Sequence, residues 1–140
     1  MSNTPALAID YGERHVGLAM TSSEGTATRH STIEWDGQDQ SVLIGMLLAT
    51  IETEKAGNIV VGVPRNLEGE LTEQSALITD FAAALQKALP EGTSVTTVDE
   101  TLTSAEAQQR LAEEGAPASD EHAEAAKIIL EDYLRQQADK

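Results

Sequence analysis

The order of elements along this 140-residue sequence predicts an α/β fold, a five-stranded mixed sheet flanked by helices. Three observations carry that reading. Two strand-like segments near the start, residues 6–10 and 15–20, are joined by a tight turn containing Gly12, which is the pattern of a hairpin. An apolar segment at 58–63 lies between two stretches with apolar residues at helical spacing, the arrangement that produces parallel strands joined by crossover helices. The last third then reads as two consecutive helices. A chain of this length suits one domain, residues 1–140, large enough to bury a core without staples.

Each element has its own signal. Residues 6–10, Ala-Leu-Ala-Ile-Asp, form a short apolar run, the composition of a strand covered on both faces. In 15–20, Val16, Leu18 and Met20 alternate with smaller residues. A third strand, ending near Ile33 or Trp35, is mostly polar and belongs toward a sheet edge. After Asp36-Gly37, the spacing of Leu43, Leu47 and Ile51 predicts a helix up to Lys55 with Gly57 as its stop. Residues 58–63 form the clearest central strand, which Pro64 ends. A loop from Arg65 to Glu70 leads to a helix with Leu77, Phe81, Leu85 and Leu89 on one stripe, terminated by Pro90 and Gly92. The β-branched run at 93–98 is the fifth strand. Thr103 with Glu106 makes a capping box ahead of a helix to about Glu114. Gly115-Ala116-Pro117 interrupts, and Ser119 caps a last helix running to about Gln137. The order is β-β-β-α-β-α-β-α-α.

Composition removes several function classes. The sequence has no cysteine, so disulfides, zinc–thiolate sites and thiol catalysis are excluded. The apolar runs are far too short for a bilayer span and nothing resembles a signal peptide, so no membrane partner and a cytoplasmic location are expected. Twenty-four acidic side chains against nine basic ones give a net charge of −15. Such a surface repels nucleic acid within a Debye length unless a divalent metal or a local basic patch reverses the field at one spot. There is no phosphate-binding glycine loop, no dinucleotide fingerprint and no Gly-x-Ser-x-Gly elbow. One Phe, two Tyr and one Trp are too few for a base-stacking platform.

The remaining chemistry lies in acids at strand ends. Asp10 stands where the first strand runs out, at the C-terminal edge where ligand sites of α/β sheets collect, although an acid that simply starts the turn with Gly12 fits the same position. Asp99-Glu100 follows the fifth strand in the same way, although a helix-start role is open to both. Two acids at one edge repel unless a cation sits between them, and a hard dication is the economical choice. Ser119, Asp120 and Glu121 have the composition of an ordinary helix start. His122 is less expected there, because the helix dipole disfavours its protonated form and favours the neutral, metal-binding one. Arg14, in the first hairpin turn, and Arg65-Asn66, beyond the central strand, are candidates for phosphate contact, with Arg110 and Lys127 behind them. Arg29, Lys55, Lys87, Arg135 and Lys140 read as surface charge balance. His15 and His30 lack partners at ligand spacing and read as surface residues.

Four segments, Leu7-Ala-Ile-Asp-Tyr-Gly-Glu-Arg-His-Val-Gly-Leu-Ala19, Ile59-Val-Val-Gly-Val-Pro-Arg-Asn-Leu-Glu-Gly69, Val98-Asp-Glu-Thr-Leu-Thr-Ser-Ala-Glu106 and Ala125-Ala-Lys-Ile-Ile-Leu-Glu-Asp-Tyr-Leu134, together resemble the YqgF-type family, Holliday-junction-resolvase-like nucleases with a ribonuclease H-like fold. The resemblance implies a metal-dependent phosphodiesterase acting on structured RNA, at the 5′ end of pre-16S rRNA, or on branched DNA. It assigns the family's first acid to Asp10 and its second to Glu100. The third departs from the pattern: the usual Asp is replaced by His122, with Asp120 two residues earlier as a substitute. Arg65 stands where the family has an apolar residue, and Thr101 where it has Arg. The mechanism implied is two-metal hydrolysis with Asp10, Glu100 and His122 or Asp120 as ligands, and an imidazole ligand shifts the preference from Mg²⁺ toward Mn²⁺. A monomer and a homodimer are both compatible with the sequence. The rival readings are a catalytically impaired ribonuclease H-like domain that binds protein or RNA, and a fragment of an actin-like or sugar-kinase-like ATPase, which lacks room here for its second lobe.

Overall fold

In the computed structural model, which describes residues 4–65, 68, 70, 72–100 and 104–138, the elements follow the expected order. They are β1 (Ala6–Asp10), β2 (His15–Thr21), β3 (Ala27–Glu34), α1 (Gln40–Glu54), β4 (Asn58–Pro64), α2 (Glu73–Ala88), β5 (Ser94–Glu100), α3 (Ser104–Glu114) and α4 (Glu121–Ala138). A short 3-10 turn, Ala118–Asp120, joins α3 to α4. The five strands form one sheet in the order β3-β2-β1-β4-β5. β1 pairs antiparallel with β2 and parallel with β4, so the sheet is mixed as the hairpin and crossover patterns require. The polar third strand is an edge strand, and β1 sits at the centre, where Leu7, Ala8 and Ile9 are completely buried.

Alternation along the strands separates two unlike faces. Leu7, Ile9, Val16, Leu18, Ile59 and Val61 face α1 and α2 and form a large aliphatic core with Leu43, Leu47, Phe81 and Leu85. The opposite face is built from small residues, Ala6, Ala8 and Ala19 with Val60 and Val98, and it is covered by Ala126, Ile129 and Leu130 of α4. Two glycines complete this low-relief surface. A Cβ on Gly62 would lie 2.5 Å from Ile129 Cδ1, and one on Gly17 would lie 1.9 Å from the carbonyl oxygen of His122. The small side chains therefore set how closely α4 approaches the sheet.

Several local expectations are corrected. Helix α1 ends at Glu54 and turns through Lys55 in the left-handed region (φ 59°), whose amide donates to the carbonyls of Glu52 and Ile51. Gly57 is instead required by crowding, because a Cβ there would meet Thr4 Cγ2 at 2.2 Å. Helix α2 begins after Thr72, which forms a reciprocal capping box with Ser75. Its buried stripe runs through Ile78, Phe81, Ala82 and Leu85, while Leu77 is 45% exposed. A strict four-residue spacing drifts around a helix of 3.6 residues per turn, so Leu77 rotates out and Ile78 takes its place. Ile78→Ala is expected to cost about 3 kcal/mol in urea unfolding, against less than about 1 kcal/mol for Leu77→Ala. Ser119 lies within the 3-10 turn, and α4 starts at Glu121, later than expected. Thr103 of the expected capping box lies outside the described residues.

Candidate functional site

Strand alternation decides which face the strand-end acids occupy. Ala6 and Ala8 face α4, so Asp10, two residues further along β1, is on the α4 face at the strand's C-terminal end. On β5, Val98 faces α4 and Glu100 follows it on the same side. The registers Ile9↔Val61 and Gly62↔Val98 set the two acids on either side of β4 at one sheet edge. Strand spacing and rise put their Cα atoms about 12 Å apart.

Both carboxyl groups are disfavoured as anions. Burial pushes Asp10 up to about 7 from an ordinary 3.8, and the nearby charge of Glu121 raises it further. Burial likewise pushes Glu100 up to about 7, with the neighbouring Glu106 adding to the effect, and Glu100 is only 8% exposed. Desolvation of this kind favours a cation as partner of the ionised form and marks both acids as functional-site candidates.

The start of α4 supplies the third side of the site. Gly17 pairs with Asp10 across the β1–β2 ladder, and the main chain of His122 rests directly on it. This close approach brings Glu121 to Asp10, and Gln108 Nε2 of α3 donates to Glu121 Oε1 at 2.5 Å. His122 turns to stack on His15, with ring centroids 4.9 Å apart and planes inclined by 6°. His15 Nε2 lies 3.7 Å from Glu34 Oε1. His15, Thr32, Glu34, Ser119, Glu121 and His122 line a cleft of about 350 Å³ beside the edge. Asp120 lies 3.9 Å from Arg29 Nε. From the sequence alone Glu121 reads as a helix-start acid and His15 as an isolated surface residue. Their signals are the β1–β2 pairing that sets Asp10 opposite Gly17 and a helix start one residue later than expected, and neither can be read without the register.

The turn after Asp10 is well anchored. Tyr11 packs on Phe81 (centroids 4.6 Å) and on Trp35 (5.9 Å), Trp35 Nε1 donates to the Gly12 carbonyl at 2.8 Å, and Trp35 N donates to the Arg14 carbonyl at 3.0 Å. Arg14 stands exposed on this turn. Arg65 follows β4, where its amide donates to the Glu100 carbonyl at 2.8 Å and its Nη2 donates to Asp99 Oδ1 at 3.1 Å. Asn66 lies outside the described residues. Arg110 is engaged elsewhere: its Nη1 donates to Glu131 Oε1 at 2.7 Å and its Nη2 lies 3.7 Å from Glu106, on the seam between α3 and α4. Lys127 is half-buried on α4. Arg29 is not surface charge balance either, because it donates to the fully buried Glu124 at 2.7 Å. His30 joins β3 to α1, with Nε2 3.1 Å from Glu54 Oε2.

Residues 4–136 match the RuvX family, described as Holliday junction resolvase. The chain belongs to the RuvX family. A relative from Maridesulfovibrio salexigens, named "Putative pre-16S rRNA nuclease", is 35% identical over 91% of this chain and 96% of its own length. One of the same name from Rickettsia bellii is 33% identical over 96% and 88%. Among solved structures, Thermus thermophilus RuvC aligns with a TM-score of 0.64 at 14% identity, and the same protein in complex with a Holliday junction substrate at 0.58 and 16%, each covering 96% of both chains. The RuvX chain therefore has the ribonuclease H-like fold, and its family is one of nucleases.

A nuclease family of this type implies a divalent metal. Among the described residues, no three His, Asp or Glu side chains stand close enough together to hold an ion as they are. The donor chemistry nonetheless fits one: Asp10, Glu100 and Glu121 are hard oxygen donors, and the first two are held desolvated at one sheet edge. Among the described residues no helix is long and apolar enough to cross a membrane.

Proposed function

We propose that this RuvX protein is a divalent-metal-dependent nuclease that hydrolyses phosphodiester bonds in structured nucleic acid, in the 5′ region of pre-16S rRNA or at a four-way DNA junction. The observation that carries the reading is the pair of acids, Asp10 and Glu100, on one face and one edge of the sheet, both pushed up to about 7 by burial. Asp10 and Glu100 would hold the metal, with Glu121 from α4 completing the set. His122 and Asp120 require a rearranged α4 start to join them, since His122 stacks on His15 and Asp120 faces Arg29. An oxygen-only set suits Mg²⁺ as well as Mn²⁺, whereas entry of His122 would favour Mn²⁺. A bound dication supplies the positive charge against which a phosphodiester transition state develops.

The chain's own residues do the rest. Gly17 lets α4 deliver Glu121, and the Tyr11–Trp35 packing holds the turn that follows Asp10. Arg14, exposed on that turn, offers a phosphate contact next to the acids. Arg65, whose Nη2 donates to Asp99 Oδ1 beside Glu100, would offer a second phosphate contact. On a protein of net charge −15 these contacts act locally, so affinity should be weak and fall steeply with salt.

The test is cleavage by the purified protein of a pre-16S rRNA fragment and a four-way junction, with Mg²⁺ and with Mn²⁺. Cut product that disappears with chelator supports the nuclease. A second reading is favoured by the engagement of His122 with His15 and of Asp120 with Arg29, away from Asp10: a ribonuclease H-like module that binds RNA or protein without cutting. Binding of either nucleic acid with no product under either metal selects that reading.

A further inference from the structure

Glu124, in the first turns of α4, is 0% exposed and takes no part in the site described above. Its Oε1 accepts from Arg29 Nη1 at 2.7 Å, and its Oε2 lies 3.9 Å from Arg110 Nη1. Arg29 reaches it from the edge strand β3 and gathers two further acids: Nη1 lies 3.3 Å from Glu114 Oε2 at the end of α3, and Nε lies 3.9 Å from Asp120 Oδ2 in the 3-10 turn. One guanidinium thus ties together the end of α3, the connecting turn and the start of α4. The tied residues bracket Glu121, which α4 brings to Asp10, and His122, which it stacks on His15. A buried ion pair is a poor source of stability compared with an apolar pair of the same volume, but it fixes register through its geometry. The forked guanidinium can do this for three carboxylates at once, which an ammonium cannot.

We propose that Arg29 is a positioning residue, which through Glu124, Glu114 and Asp120 fixes the start of α4 so that Glu121 stands against Asp10 and His122 stacks on His15. The catalytic consequence rests on the nuclease reading, whereas the positional one does not. The test uses the double variant Arg29→Met/Glu124→Leu, which removes the buried carboxylate together with its half-buried cation and keeps the volume, so folding is retained. The position of α4 is read by NMR from the ring protons of His15 and His122, which shift each other upfield while stacked, with His15→Asn and His122→Asn spectra providing the assignment. The expected result is a folded double variant in which this mutual shift is lost, and in which kcat falls about tenfold or more with KM within about twofold.

Retention of the mutual shift in the folded double variant overturns the proposal, whatever happens to cleavage. Loss of the shift with an unchanged kcat overturns the catalytic consequence. Should the double variant not fold, Arg29→Lys takes its place with the same readings, because a lysine keeps the charge beside Glu124 but not the fork. If the wild-type protein cuts nothing under either metal while the variant loses the shift, the nuclease reading fails and the positional role of Arg29 stands.

Discussion

Asp10→Asn is expected to abolish metal-dependent cleavage and, at the same time, to stabilise the metal-free protein at pH 8. The two effects have one cause. Burial and Glu121 hold the Asp10 carboxyl near 7 in the folded protein, against 3.8 as its ordinary value. An acid with a raised folded pKa binds its proton more tightly when folded than when unfolded. Its favourable contribution is complete below about pH 4 and is lost as pH rises through about 7. At pH 8 the folded wild type carries the full penalty of a desolvated anion, and the asparagine variant carries none. A rise of this size corresponds to an upper bound of about 4 kcal/mol, which the partial exposure of Asp10 reduces to about 2 kcal/mol. At this chain length that is a melting temperature raised by about 5 °C at pH 8, shrinking toward zero at pH 4.

A divalent cation inverts the order. Wild type gains melting temperature with added Mn²⁺ or Mg²⁺, because the ion binds the folded state alone, while Asp10→Asn gains little. Cleavage by the variant should drop at least about a thousandfold, the scale expected when a principal electrostatic group is removed from the reaction centre. Scanning fluorimetry at pH 5 and pH 8, with and without metal, together with cleavage rates, checks all of it. An Asp10→Asn protein that is less stable than wild type at pH 8 without metal would mean that Asp10 is a structural acid, satisfied where it stands.

Residues 58–63 and 6–10 were legible in the sequence because a central strand needs apolar side chains on both faces, and few other structures tolerate such runs. The strand-end acids were legible for the same reason: a charge that follows a buried strand has to emerge at the sheet edge. The details that failed are those set by contacts between distant segments. Leu77 and Ile78 are equally apolar, and only the packing of α2 on the sheet decides between them. Arg29 on a polar edge strand has the composition of a surface cation until α4 lays Glu124 over it. His15 and His122 are separated by most of the chain, and no spacing rule foretells their stacking. Glu121 was hidden behind a commoner explanation, since acids in the first turn of a helix are favoured by the dipole alone.

Gly17→Ala should come close to Asp10→Asn in its effect on cleavage, although no reacting group is altered. The added methyl would sit 1.9 Å from the His122 carbonyl oxygen, 2.2 Å from its carbon and 2.9 Å from the Ala123 nitrogen. All three are backbone atoms in the first turn of α4, so no side-chain rotation relieves the clash, and either the helix start lifts or β2 bends away. β2 is clamped between β1 and β3, which leaves the helix start as the part that moves. A lift of about 1 Å withdraws Glu121 from Asp10 and costs about a hundredfold in rate. The lower half of α4 keeps its grip through Ala126, Ile129 and Leu130, so the loss of stability should stay within the roughly 1–3 kcal/mol typical of overpacking. The mark of this mechanism is a variant that melts cooperatively, binds nucleic acid with a KM near that of wild type, and shows both a lowered kcat and a weakened thermal response to Mn²⁺. A Gly17→Ala protein with wild-type kcat would show that the start of α4, and Glu121 with it, stands outside the reaction.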